Sequence, residues 1–82
     1  MNIIVNGTPY GPTQVFGAME ALAKLTGLGI SLEYFEDKTK WSCAHMGYKE
    51  TSSGYNTAWG ALCDCVDILH LKYQIDARLD NE

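Results

Sequence analysis

The period at which apolar residues recur changes along the chain, and each change marks an element. Asn2 to Val5 is β-prone and stops at Asn6-Gly7, a dipeptide suited to a tight hairpin turn. Pro9 and Pro12 follow within five residues, which forbids a central strand there. The stretch reads as an ordered loop, with a short edge strand over Thr8–Tyr10 as the alternative. From Thr13 to Thr26 the period becomes helical. Val15, Met19, Leu22 and Thr26 share one face, Ala18 and Leu25 widen it, and Glu20 and Lys24 lie opposite. Gly27 is a natural left-handed stop. Ile30 to Phe35 then alternates, Glu36-Asp37-Lys38-Thr39 is a polar turn, and Lys40 to Met46 returns as a second strand. On that strand Trp41, Cys43 and His45 share a face. Gly47 to Asn56 is the longest polar stretch and reads as a loop. Asn56 or Thr57 caps a second helix whose stripe is Ala58, Leu62, Cys65, Leu69 and Tyr73, and nothing breaks the pattern before about Leu79. The last residues, Asp80-Asn81-Glu82, should fray.

The predicted order is therefore β-α-β-β-α in a single domain spanning residues 1–82. The fold class is α+β: a two-layer arrangement in which a small antiparallel sheet of about three strands is packed by two helices. If both helices cover one sheet face, the other stays open. A homodimer that extends or stacks so small a sheet is an open alternative.

Size and charge narrow the functions. A chain of 82 residues and 9.1 kDa, 46% hydrophobic and 20% charged, is too apolar for intrinsic disorder. A net charge of −4 argues against direct, sequence-independent nucleic-acid binding, which needs a basic footprint. The opening residues have no basic start or apolar run of secretory length, and no stretch suits a membrane span. Three cysteines, an odd number, fit reduced thiols in the cytoplasm better than a disulfide framework.

Catalytic or metal chemistry has few candidates. Cys43 and His45 look the same way from one strand and could form a nucleophile pair or contribute to a zinc site. Buried packing is the simpler reading, because free cysteine is among the most buried residue types. Cys63-Asp64-Cys65 resembles a motif only on paper, since residues two apart on a helix point about 200° from each other. The expectation is no catalytic residue, no metal and no cofactor. The stronger candidate is a partner-binding surface on the polar stretch: Tyr48, Lys49, Glu50 and Tyr55, tyrosines set among small polar residues. Tyr10 in the proline-rich loop is a possible addition. Glu36 and Asp37 at the hairpin tip belong to a scattered acidic surface that could occupy a basic, nucleic-acid-binding groove on a bacterial protein.

Two stretches resemble known short proteins. Met1-Asn2-Ile3-Ile4-Val5-Asn6-Gly7 looks like the start of a ThiS-type sulfur carrier. That family acts through a Gly-Gly tail, whereas this sequence ends Leu79-Asp80-Asn81-Glu82, and the reading is set aside. From about residue 30 to 70 the sequence resembles small bacteriophage-encoded α/β-sandwich proteins. The resemblance rests on Trp41-Ser42, a Gly-containing loop, and Thr57 with Ala61-Leu62-Cys63 opening the last helix. It implies a phage accessory protein in the host bacterial cytoplasm, a class that includes anti-CRISPR and other inhibitors of host defence.

Three functions follow in order. The first is a non-enzymatic inhibitor that binds a bacterial defence protein and acts by steric occupation. The second is an oligomer that sequesters a small molecule or nucleotide between Trp41, Tyr34 and Trp59. The third is a zinc or Cys/His-dependent protein using Cys43 and His45.

Overall fold

A computed structural model describes residues 1–27, 29–36 and 40–81. Its chain order is β1 (Ile3–Val5), β2 (Thr8–Tyr10), α1 (Val15–Thr26), β3 (Ile30–Phe35), β4 (Lys40–His45), β5 (Glu50–Tyr55), α2 (Ala58–Tyr73) and β6 (Ala77–Leu79). The α+β class with two helices is as the sequence indicates. Among the described residues the strands number six, and they form two three-stranded antiparallel sheets, β2-β1-β6 and β3-β4-β5, where about three strands in one sheet were expected.

The first hairpin follows from its turn. Asn6 and Gly7 both take positive φ, 49° and 83°, the conformation a two-residue hairpin turn needs. Thr8–Tyr10 is thereby held against β1 as an edge strand, which is where Pro9 is tolerated. A short 3₁₀ turn, Pro12–Gln14, precedes α1, with the Gln14 side chain accepting the Gly11 N–H at 2.8 Å. Helix α1 therefore starts at Val15 rather than Thr13, and it ends on Gly27 at φ 71°.

The β3–β4 pairing stands as expected, with Leu32 opposite Cys43 and Tyr34 opposite Trp41, while residues 37–39 of the expected polar turn lie outside the described residues. The expected loop over Gly47–Asn56 is corrected. A turn over residues 46–49 leads straight into β5, which pairs with β4 along its length. Polar composition hid this strand, because Thr51 and Ser53 are exposed on the open face. Ser52 is buried on the helix side, where its hydroxyl donates to the Ala61 carbonyl at 2.6 Å. Gly54, at φ 90°, is the extra residue where the register shifts between Trp41–Tyr55 and Ser42–Ser53, a β-bulge.

Helix α2 is capped by Thr57, whose hydroxyl accepts the Gly60 N–H at 3.0 Å. It stops at Tyr73, not near Leu79. Gln74 turns left-handed at φ 56° and donates its N–H to the His70 carbonyl at 2.9 Å. The freed chain runs back beside β1 as β6, pairing Ala77 with Val5 and Leu79 with Ile3. Asp80 is tied in as well, its N–H bonded to the Asn2 carbonyl at 3.0 Å, so fraying does not begin there.

Each helix packs against strands of both sheets: α1 against β1, β2 and β3, and α2 against β3, β4, β5 and β6. The single core therefore draws Ile3 and Val5 from one sheet, Cys43 from the other, Leu22 from α1, and Leu62, Cys65, Val66 and Leu69 from α2. The second face of β3-β4-β5, with Ser31, Glu33, Ser42 and Ser53, has no helix on it among the described residues. No helix of the described residues is long and apolar enough to cross a membrane.

Candidate functional site

The residues anticipated as a partner surface do not form one surface. Register places Tyr48, Lys49 and Glu50 at the His45 end of β4. Tyr55 sits opposite Trp41, and Glu36 follows β3, at the other end. The separation is roughly the length of a six-residue strand, about 20 Å. Tyr55 is half-buried and donates to the Asp64 carboxylate, which raises its pKa. Tyr10 belongs to the other sheet, where its ring would meet a Cβ at Gly17 and lines a cleft of about 430 Å³ with Val5, Ala21 and Leu25. Asp37 lies outside the described residues.

What the fold does assemble is an aromatic and charged cluster where the 46–49 turn meets the end of α2. The Tyr48 ring stacks on Tyr73, with centroids 4.3 Å apart and planes 23° from parallel. On its other side Tyr48 lies against the His45 ring, at 5.1 Å. The Tyr73 hydroxyl donates to Glu50 Oε2 at 2.7 Å, and Lys72 Nζ reaches the same carboxylate at 3.3 Å. The Tyr73 bond, aided by Lys72, lowers the Glu50 pKa; the same bond raises that of Tyr73. Met46, in the same turn, is 67% exposed. Lys49, at φ 57°, takes the left-handed conformation that turns the chain into β5.

Sequence reasoning found Tyr48, Lys49 and Glu50 from their composition. It missed Tyr73 and Lys72, having assigned Tyr73 to the core stripe of α2. The available signal was the helix end itself: a cation in the last turn suits the negative end of the helix dipole. Locating that turn required knowing that Gln74 stops the helix.

His45 anchors the cluster from below. It is 1% exposed, and its ring nitrogens are both engaged. The Tyr48 N–H donates to Nδ1 at 3.3 Å, so Nδ1 is an acceptor and the ring proton sits on Nε2, 3.0 Å from Thr26 Oγ1. The Thr26 hydroxyl in turn donates to the Leu22 carbonyl at 3.0 Å. Burial lowers the His45 pKa, and both bonds suit the neutral ring.

Cys43 and His45 do share the inward face, but they do not engage each other in a nucleophile–base bond. Cys43 is fully buried and hydrogen-bonded to Cys65; that bond, with burial, pushes its pKa far above the ordinary thiol range. Such a thiol is not a ready nucleophile. Cys63 is raised to about 11, mainly by burial. Among the described residues no group of three or more His, Cys, Asp or Glu side chains is placed to hold a metal ion.

The aromatic residues considered for a small-molecule pocket also separate. Trp41 packs against Tyr34, at 5.6 Å, and lines an apolar groove of about 390 Å³ with Val15, Phe16, Leu32 and Ala58. Trp59 is not among its walls; its indole N–H donates to the Met1 carbonyl at 3.1 Å. Comparison with family models, curated proteins and solved structures gives no match to this chain.

Proposed function

We propose that the chain is a non-enzymatic binding protein that inhibits a bacterial protein in the cytoplasm by occupying its surface. The partner class, a host-defence protein of the kind anti-CRISPR proteins target, is the one the phage-type resemblance implies. The observation that carries the reading is the Tyr48–Tyr73 stack at the end of the domain. Two large rings are already ordered against each other and against a buried histidine, so little side-chain freedom remains to be lost on binding. Tyrosine is enriched among interface hot spots and methionine at interfaces generally, and here two tyrosines and an exposed methionine lie beside an ion pair. Glu50 and Lys72 already satisfy each other, so a partner could use them for orientation without burying an unpaired charge.

The test is capture from a bacterial lysate by the wild-type chain and by Tyr48→Ala with Tyr73→Ala, followed by mass spectrometry. A partner retained stoichiometrically by the wild type should fall at least about tenfold with the double variant. Circular dichroism and the melting transition establish that the variant is folded. Undiminished capture by a folded double variant would place the binding surface elsewhere.

A further inference from the structure

The β3-β4-β5 sheet has an unprotected edge. In the ladder with β4, the Met46 N–H bonds the Gly29 carbonyl at 2.9 Å. Hydrogen-bonded pairs alternate in an antiparallel ladder, so Ser31 and Glu33 direct their backbone groups toward β4. Ile30, Leu32 and Tyr34 therefore point theirs outward. Among the described residues no backbone hydrogen bond is made to those outward groups. The other edges are blunted: β2 is short and holds Pro9, β6 has three residues, and β5 is bulged at Gly54. Strand β3 has six residues and, apart from Glu33, no such device.

We infer that β3 pairs antiparallel with β3 of a second copy, making one continuous six-stranded sheet, with Leu32 opposite its own counterpart on the two-fold axis. In this register Ile30 meets the other copy's Tyr34. Each of these pairs can exchange both N–H···O bonds, because all three residues present outward groups. Faces match as well: Ile30, Leu32 and Tyr34 lie on the helix side in both copies, so the apolar grooves that contain Leu32 become neighbours.

Charge and space favour the same register. Glu33 meets Ser31 of the second copy, whereas sliding two residues one way sets Glu33 against Glu33, and sliding the other way loses a pair. Phe35 meets Gly29, which has no side chain to obstruct the ring. A one-residue slip would face outward groups with groups already bonded to β4.

The exposed area also fits a second copy. Phe16, Tyr34 and Phe35 are 83%, 53% and 40% exposed. At about 150–250 Å² per aromatic side chain they leave roughly 300–400 Å² of ring surface in water. That is about half of the ~800 Å² per partner in a standard interface, with the paired strands to supply the rest. This surface is distinct from the Tyr48–Tyr73 cluster, and its test does not depend on any captured partner.

The experiment is sedimentation velocity over about 10 μM to 1 mM, with amide exchange followed by NMR. The wild type should sediment at twice 9.1 kDa, with the amides of Ile30, Leu32 and Tyr34 protected. Tyr34→Pro removes an N–H that points away from β4, so it should leave the fold intact while the dissociation constant rises at least about tenfold. Ser31→Glu provides a second, surface variant: it sets like charges across the two-fold and should weaken the dimer roughly tenfold. Adding Glu33→Lys to Ser31→Glu should restore it. A wild type that stays monomeric throughout overturns the proposal. So does a dimer in which the Ile30, Leu32 and Tyr34 amides exchange like open ones, or one indifferent to Ser31→Glu.

Discussion

His45 Nε2 lies 3.0 Å from Thr26 Oγ1, joining the buried end of β4 to the last turn of α1. The imidazole is held neutral, with Nδ1 occupied by the Tyr48 N–H and the ring removed from water. Its folded pKa is lowered, while the unfolded chain returns it to about 6.5. The unfolded state therefore binds the extra proton first. The stabilising contribution is complete above about pH 6.5 and is lost as pH falls from there toward the folded pKa. Urea unfolding at pH 7.5 and at pH 5.5 should show a lower midpoint at the acid value, with a slope no steeper than about 1.4 kcal/mol per pH unit from this one group. His45→Gln, less stable at neutral pH, should lose most of that slope between these values. An unchanged slope in the variant would assign the acid sensitivity to other groups.

Ser52 joins β5 to α2 through its buried hydroxyl and the Ala61 carbonyl. Ser52→Ala leaves no large cavity and removes only this hydrogen bond, since Ala61 keeps its helical setting. The expected loss is about 1 kcal/mol in unfolding free energy, with the denaturant slope unchanged. A loss above about 3 kcal/mol would mean that β5 has detached, because no single neutral hydrogen bond contributes that much.

The legible parts of the fold were those whose pattern is local. Alternation over Ile30–Phe35, the helical stripe before Gly27 and the Asn6-Gly7 turn each specify their element without outside help. The parts that were not legible depend on distant partners. Thr51-Ser52-Ser53 becomes a strand because β4 offers a ladder and Ala61 an acceptor, neither visible in a polar run. Ala77–Leu79 continues the period of a helix yet pairs with β1, because burying Ala77 and Leu79 beside Ile3 and Val5 completes a second sheet. The same non-locality split the candidate surface. Tyr48 and Tyr55 are close in sequence, but β5 carries them to opposite ends, while Tyr73 arrives beside Tyr48 from α2.

Gln74 ends α2 in the left-handed conformation at φ 56°, a cost that a glycine would avoid. The residue is exposed, so its side chain has little packing to lose. Gln74→Gly should stabilise the fold by about 0.5–1 kcal/mol, seen as a raised thermal midpoint, whereas Gln74→Val should lower it. If glycine destabilises instead, the Gln74 side chain contributes more than its conformation costs.

Cys63 is 9% exposed and its pKa is raised to about 11, chiefly by burial. Each unit above the ordinary value of 9.0 lowers the thiolate fraction tenfold, so alkylation at pH 8 should be about 100-fold slower than for a free thiol. In urea all three cysteines should label at the ordinary rate. The same shift carries a stability consequence of definite sign. A thiol whose folded pKa is raised contributes fully below pH 9.0, and that contribution is lost as pH rises from there to about 11. The hydrogen bond between Cys43 and Cys65 shifts the two thiols in opposite directions, Cys43 up and Cys65 down, so Cys63→Ala is the informative comparison: it should flatten the alkaline fall in stability. Rapid labelling of one cysteine in the native protein at pH 8 would overturn the packing role and reopen these thiols as reactive groups.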